Sequence, residues 1–163
     1  MNININGLNI NYISEGEGET VVLLHGWGSN ITLFAGITAL LSQKYRVIAP
    51  DMPGFGLSDE PREPWCVDDY VDFVLEFLKD YEFDKINLLG HSFGSRVIIK
   101  LCSRELPFEV ETTILVDAAG VKPKKSLKQK IKENIYKLTK WIFSLAIVMT
   151  LFPDALENLR ERN

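Results

Sequence analysis

Between Ile86 and Arg104 an apolar run turns into a helical pattern with no room for a loop, and this stretch constrains the chain most. Ile86 to Leu89 reads as a buried strand, and Val97, Ile98, Leu101 and Cys102 then return at helical spacing. Only Gly90-His91-Ser92-Phe93-Gly94, a G-x-S-x-G sequence, joins the two. A corner this sharp forces its central residue into a strained backbone conformation. The residues two before and two after it must be nearly free of side chain, and Gly90 and Gly94 are. Ser92 is predicted to stand at the tip, its hydroxyl at the mouth of the following helix, where backbone N–H groups can steady a developing oxyanion.

The rest of the chain arranges itself around that corner. Asn2 to Asn6 and Leu8 to Ser14 alternate with period two about Gly7 and predict an antiparallel hairpin. Val21 to Leu24 is a fully apolar strand running into the glycine-rich loop His25-Gly26-Trp27-Gly28. Leu33, Phe34, Ile37, Leu40 and Leu41 share one helical face. Arg46 to Pro50 is the next strand, closed by the turn cluster Asp51 to Asp59. Val67, Tyr70, Val71, Val74, Leu78 and Tyr81 mark a helix starting beyond Pro64, and Val110 to Val116 is a last strand ending at Asp117. Short apolar strands alternating with helices imply a mostly parallel sheet, covered by helices on both faces, with the hairpin antiparallel at its start. In such sheets ligands bind beyond the C-terminal ends of the strands. His25-Gly26-Trp27, Asp51-Met52-Pro53 and Gly90-His91-Ser92 all lie at such ends and are expected to share one rim.

Charge divides the chain near Gly120. Residues 1–120 carry 8 basic and 18 acidic side chains, a net −10, whereas residues 121–163 carry 10 and 4, a net +6. Two units are therefore expected, 1–120 and 121–163. With 163 residues, 46% of them hydrophobic, the chain is large enough for a real core. Cys66 and Cys102 are too few for a secreted disulfide framework, and reduced thiols in a cytoplasmic protein are the simpler reading. The N-terminus has no basic n-region or long apolar stretch and reads as a strand, not a signal peptide.

His25-Gly26-Trp27-Gly28, Asp51 to Asp59 and Gly90 to Ser95, in this order and spacing, resemble the α/β-hydrolase fold superfamily. More narrowly they are similar to its serine esterase, perhydrolase and C–C-hydrolase-like branch with a helical cap. The resemblance covers about residues 3–120, with 121–163 as the start of the cap. It implies a three-layer α/β/α fold truncated after the sixth strand, with neither cofactor nor metal. It makes Ser92 the nucleophile, with the backbone N–H groups of Phe93 and Trp27 forming the oxyanion hole. Family dehalogenases and epoxide hydrolases carry Asp at the nucleophile position, so Ser92 argues for acyl transfer through a covalent ester.

A serine hydroxyl needs a base, and in this superfamily the order along the chain is Ser, acid, His. The chain has two histidines, His25 and His91, and both precede Ser92. His91 is expected to point away from the hydroxyl in a structural role, and His25 to organise the oxyanion loop. The family's last strands have no counterpart, so an N-terminal piece of a hydrolase, or a chain that lost its C-terminal half, is expected. The strand at Val110 to Val116 would then be an exposed apolar edge. Asp117, ending that strand, is either a rim residue or the catalytic acid, and Asp51 is read as a turn organiser.

Beyond Gly120, Ser126-x-x-Gln129 is a capping-box pattern opening a long helix. Leu127, Ile131, Ile135, Leu138, Ile142, Leu145, Met149 and Phe152 form its apolar stripe, with lysines on the other face. The part that is apolar nearly all round, Trp141 to Phe152, is well short of the ~20 residues that cross a bilayer. A cap helix over the active-site mouth is the expected role, with a membrane-surface helix or a partner-binding segment as alternatives. No aromatic residues interleave the lysines as stacking on nucleic acid would require.

These readings lead to a cytoplasmic serine hydrolase of a small-molecule acyl substrate, inactive or weakly active as this chain. An oxyanion hole with its triad disabled retains ~10³–10⁴-fold over water in a well-built site. The alternatives are a non-catalytic remnant acting as a binding or membrane-surface module, and an acyltransferase or perhydrolase.

Overall fold

The computed structural model describes residues 1–120, 135–136 and 138–140. The chain divides into two units, Met1–Val121 and Lys122–Asn163. Residues 135–136 and 138–140 are helical and exposed; the remainder of the basic helix expected beyond Gly120 lies outside the described residues. Among the described residues no helix is long and apolar enough to cross a membrane.

The first unit is built on six strands: β1 (Asn2–Ile5), β2 (Leu8–Glu15), β3 (Thr20–Leu24), β4 (Arg46–Pro50), β5 (Lys85–His91) and β6 (Glu109–Val116). They form one sheet in the order β1-β2-β4-β3-β5-β6. β1 and β2 pair antiparallel, as do β2 and β4, and the other pairings are parallel. The β1–β2 turn places Asn6 and Gly7 at φ 51° and 90°, the double left-handed geometry that fits the twist of a hairpin.

Alternation along each strand sends side chains to two separate cores. Val22, Leu24, Ile48, Ile86 and Leu88 meet helices α2 (Val67–Leu78) and α3 (Phe93–Leu101) on one face. Val21, Leu23, Val47, Ala49 and Leu89 lie on the other, with Phe34 and Leu41. These last two belong to a 3₁₀ turn, Ile31–Phe34, and to α1 (Ala35–Leu41). The apolar stripe read there as one helix is thus split in two. Phe34 is buried, but Leu33, Ile37 and Leu40 remain exposed.

Helix α2 begins where Asp69 accepts the Cys66 N–H at 2.7 Å, and it stops at Leu78, short of Tyr81. Its Tyr70, Val71, Phe73, Val74, Phe77 and Leu78 are buried. Full burial of one such large side chain contributes roughly 1.5–3 kcal/mol, so this face alone accounts for much of the docking of α2. Asp68 also pairs with Arg104 at 2.6 Å and Lys100 at 3.2 Å, joining α2 to the end of α3. The pairs are exposed and fix register more than stability.

Candidate active site

Ser92 lies between the last residue of β5 and the first of α3, at φ 49° and ψ −106°. A non-glycine residue there carries strain of order 1–3 kcal/mol, so the surroundings must hold it in place. They do so through the backbone. The Ser92 N–H donates to the Val116 carbonyl at 2.8 Å, and the Ala119 N–H donates to the Ser92 carbonyl at 3.1 Å. A buried hydroxyl adds a third tie, Ser95 Oγ to the Gly90 carbonyl at 2.6 Å.

Both flanking glycines are required by space. A Cβ on Gly94 would lie 2.0 Å from the Leu24 carbonyl oxygen, and one on Gly90 would lie 2.6 Å from the Ser95 nitrogen. The corner is therefore pressed against the end of β3. There the loop His25-Gly26-Trp27-Gly28 turns back, with Ser29 N–H bonded to the Gly26 carbonyl at 3.2 Å and Gly28 at φ 70°. This is a tight turn whose third position favours glycine. A Cβ on Gly26 would meet Ser92 Cβ at 3.3 Å, so the loop's backbone stands directly beside the serine. Among the described residues neither the Trp27 N–H nor the Phe93 N–H donates to a protein acceptor. Two free amide donors on the two segments that meet at Ser92 suit a developing negative oxygen.

His25 is wholly buried and committed at both nitrogens. Its Nε2 accepts the Met52 N–H at 2.9 Å, which leaves Nδ1 as the protonated nitrogen, donating to the Gly26 carbonyl at 2.8 Å. Burial pushes its pKa below the ordinary imidazole value, partly offset by the Gly26 bond and the charge of Asp51. The ring is a neutral brace for the loop. His91 Nδ1 is buried close to Gly26, without a hydrogen-bond partner among the described residues. Among the described residues no hydrogen bond joins the Ser92 hydroxyl to an imidazole or a carboxylate.

Asp51 is fully engaged as a turn organiser. Its carboxylate accepts the Ile31 N–H at 2.7 Å, the Leu57 N–H at 2.9 Å and Asn11 Nδ2 at 2.8 Å. Asp117 is exposed just past β6 with φ 48°, next to the backbone that clamps Ser92.

The sequence reading passed over an aromatic cradle beside the corner. Trp27 packs edge-on against Phe55 and Phe93, with ring centroids 4.9 and 5.2 Å apart. Tyr70 packs edge-on against Phe93 at 5.1 Å and against Trp65 at 5.2 Å. Trp27, Phe55, Trp65 and Tyr70 line a cavity of about 350 Å³. Ser95 was likewise missed; in the sequence it is one more serine in a helix, and only its burial reveals the tie to Gly90.

A sheet of this order, a serine corner at the end of β5 and a glycine turn beside it define a hydrolase-type scaffold. The family model for the alpha/beta hydrolase fold matches residues 19–142, and the chain belongs to that family. The 2-hydroxy-6-oxo-2,4-heptadienoate hydrolase of Pseudomonas putida is 35% identical over 119 residues, 71% of this chain and 43% of its own length. A soluble epoxide hydrolase of a Corynebacterium species is 32% identical over 93 residues, 57% of this chain and 32% of its own length. The crystal structure of a membrane phospholipase A, a bacterial virulence factor, superposes with a TM-score of 0.71 at 28% identity, covering 77% of this chain and 41% of that one. The chain spans between 31% and 43% of the length of the curated relatives it matches.

Proposed function

We propose that this chain carries the nucleophile and oxyanion elements of a serine hydrolase acting on a small carboxylic ester or related acyl compound. The observation that carries the reading is Ser92 at φ 49° on the β5–α3 corner, with the Gly26 backbone beside it. In the reaction, Ser92 Oγ bonds to the acyl carbon while the N–H groups of Trp27 and Phe93 hold the oxyanion. The carbon–oxygen bond to the alcohol then breaks and the alcohol leaves with the proton. Water attacks the acyl-serine and releases the acid. The aromatic cradle receives the apolar part of the substrate. A serine on the corner, where the family's epoxide-opening members carry aspartate, favours acyl transfer.

Among the described residues no base engages Ser92: His25 is occupied at both nitrogens, and no hydrogen bond joins the hydroxyl to His91. A histidine and an acid from the remaining part of the fold complete the machinery, and Asp117 is the acid candidate within these residues. The free thiols of Cys66 and Cys102 favour a reducing compartment, the cytoplasm.

A fluorophosphonate probe tests this reading. The chain alone should label at Ser92 slowly and far below one equivalent, and Ser92→Ala should abolish the signal. Rapid stoichiometric labelling of Ser92 would show that a base is already present. Labelling that survives Ser92→Ala would dismiss Ser92 as the nucleophile.

A further inference from the structure

Trp27 stands between two glycines, and among the described residues neither its N–H nor its carbonyl takes part in a hydrogen bond. The one bond of the turn, from the Ser29 N–H to the Gly26 carbonyl, spans the residue without engaging it. Glycine on either side gives a segment the widest backbone freedom a chain can have. Gly26 is hemmed in by His91 and Ser92, but a Cβ on Gly28 would meet nothing within 4 Å. The backbone thus steadies the Trp27 amide from one side only.

The hold on the other side comes from the indole. It packs edge-on against two rings at once, Phe55 at 4.9 Å and an interplanar angle of 74°, and Phe93 at 5.2 Å and 87°. Both of these rings are themselves held. Phe93 is the first residue of α3, and its ring meets Tyr70 edge-on at 5.1 Å. Phe55 meets the wholly buried His25 edge-on at 5.6 Å. Phe93 therefore serves twice. Its N–H sits at the start of a helix beside Ser92, and its ring is a stop for the residue that carries the other unbonded amide.

We infer that the Phe93 side chain is a positioning residue for the Trp27 amide, acting through the Trp27–Phe93 ring contact. The inference rests on the reading above, in which these two N–H groups hold the oxyanion, and adds what keeps them in register. A donor is effective only when it stands about 2.7–3.1 Å from the place the oxyanion will occupy, so a drift of a fraction of an ångström weakens it. An edge-on ring pair is worth roughly a twofold to tenfold bias in an equilibrium. That is enough to keep the amide mostly in place, and small enough that losing one ring loosens the loop without unfolding the sheet.

Two readouts on the full 163-residue chain test it, one of them independent of chemistry. By NMR relaxation the Trp27 amide should show an order parameter of ~0.85, falling below ~0.6 in Trp27→Ala and in Phe93→Ala. Trp27→Phe keeps a ring and should keep the rigid value. The same pattern in a Ser92→Ala background separates a failure of positioning from a failure of the chemistry. Trp27 is exposed, so Trp27→Ala should leave the amides of β5 and α3 as rigid as before, and it keeps the test decisive where Phe93→Ala does not fold. The second readout is the initial rate of fluorophosphonate labelling at Ser92. It should fall about fivefold in either alanine variant, return to within about twofold of the parent in Trp27→Phe, and fall no further in the double alanine variant than in Trp27→Ala. A Trp27 amide already mobile in the parent, or one still rigid in Phe93→Ala, would overturn the proposal. So would labelling slowed as much by Trp27→Phe as by Trp27→Ala, or losses that multiply in the double variant.

Discussion

Gly26 and Ser92 pack with no room for a methyl group between them: a Cβ at position 26 would stand 3.3 Å from Ser92 Cβ and 2.8 Å from His91 Nδ1. The loop after β3 is thus packed directly against the side chains of the corner after β5. At Gly94 the contact is tighter and the neighbour is the Leu24 carbonyl, which cannot swing away as a side chain can. Overpacking typically costs ~1–3 kcal/mol, so Gly26→Ala should lose about 1 kcal/mol and Gly94→Ala about 3 kcal/mol. Urea denaturation of the two variants measures the order. Equal losses would mean that the two contacts are equally yielding.

The strain at Ser92 predicts a gain on its removal. Glycine adopts φ 49° without steric cost, so Ser92→Gly should stabilise the fold by about 1 kcal/mol while removing the hydroxyl. A higher urea midpoint at unchanged slope, against a neutral Ser92→Ala, is the expected signature.

His25 links stability to pH. Burial lowers its folded pKa below the ordinary 6.5, so the unfolded chain binds a proton more readily than the folded one. The stabilisation is complete above about pH 6.5 and is lost as pH falls from there towards the folded pKa, with a slope of at most ~1.4 kcal/mol per pH unit. Thermal unfolding between pH 7.5 and 5 should show this decline. His25→Asn should flatten it while lowering stability at pH 7.5.

Asp51 holds two backbone N–H groups and one side-chain amide. Asp51→Ala leaves the Ile31 and Leu57 N–H groups without their acceptor, a cost of about 3 kcal/mol. Exchange of those two amides should accelerate well before global unfolding does.

Most of the sheet could be read from the chain because β3 to β6 are carried by apolar runs, while the two hairpin strands alternate about Gly7. Arg46–Pro50 was expected as found, and Thr20–Leu24 and Glu109–Val116 begin one residue earlier than read. The pattern was less faithful at α1. Leu33, Ile37 and Leu40 recur as a buried face would, yet among the described residues their partner is missing, and they stand exposed. Spacing reports that a face is apolar, not what covers it. Ser92 was legible because the glycines around it answer a local steric demand. The aromatic cradle was not, since Phe55, Trp65 and Tyr70 come from separate segments and meet only through the fold. The two hydrogen bonds that occupy His25 were equally hidden, because they depend on where Met52 N–H falls.

The backbone of Ser92 is fastened through its N–H to Val116 and through its carbonyl to Ala119, so the attitude of its side chain is set by the end of β6, the marginal strand among the described residues, and by the turn after it. Strands at a margin fray first. Each excursion of β6 slackens the Val116 fastening, and the Ser92 side chain then loses its fixed place beside Gly26. Stiffening the border of the sheet is in this architecture a way of steadying a single atom at its crest.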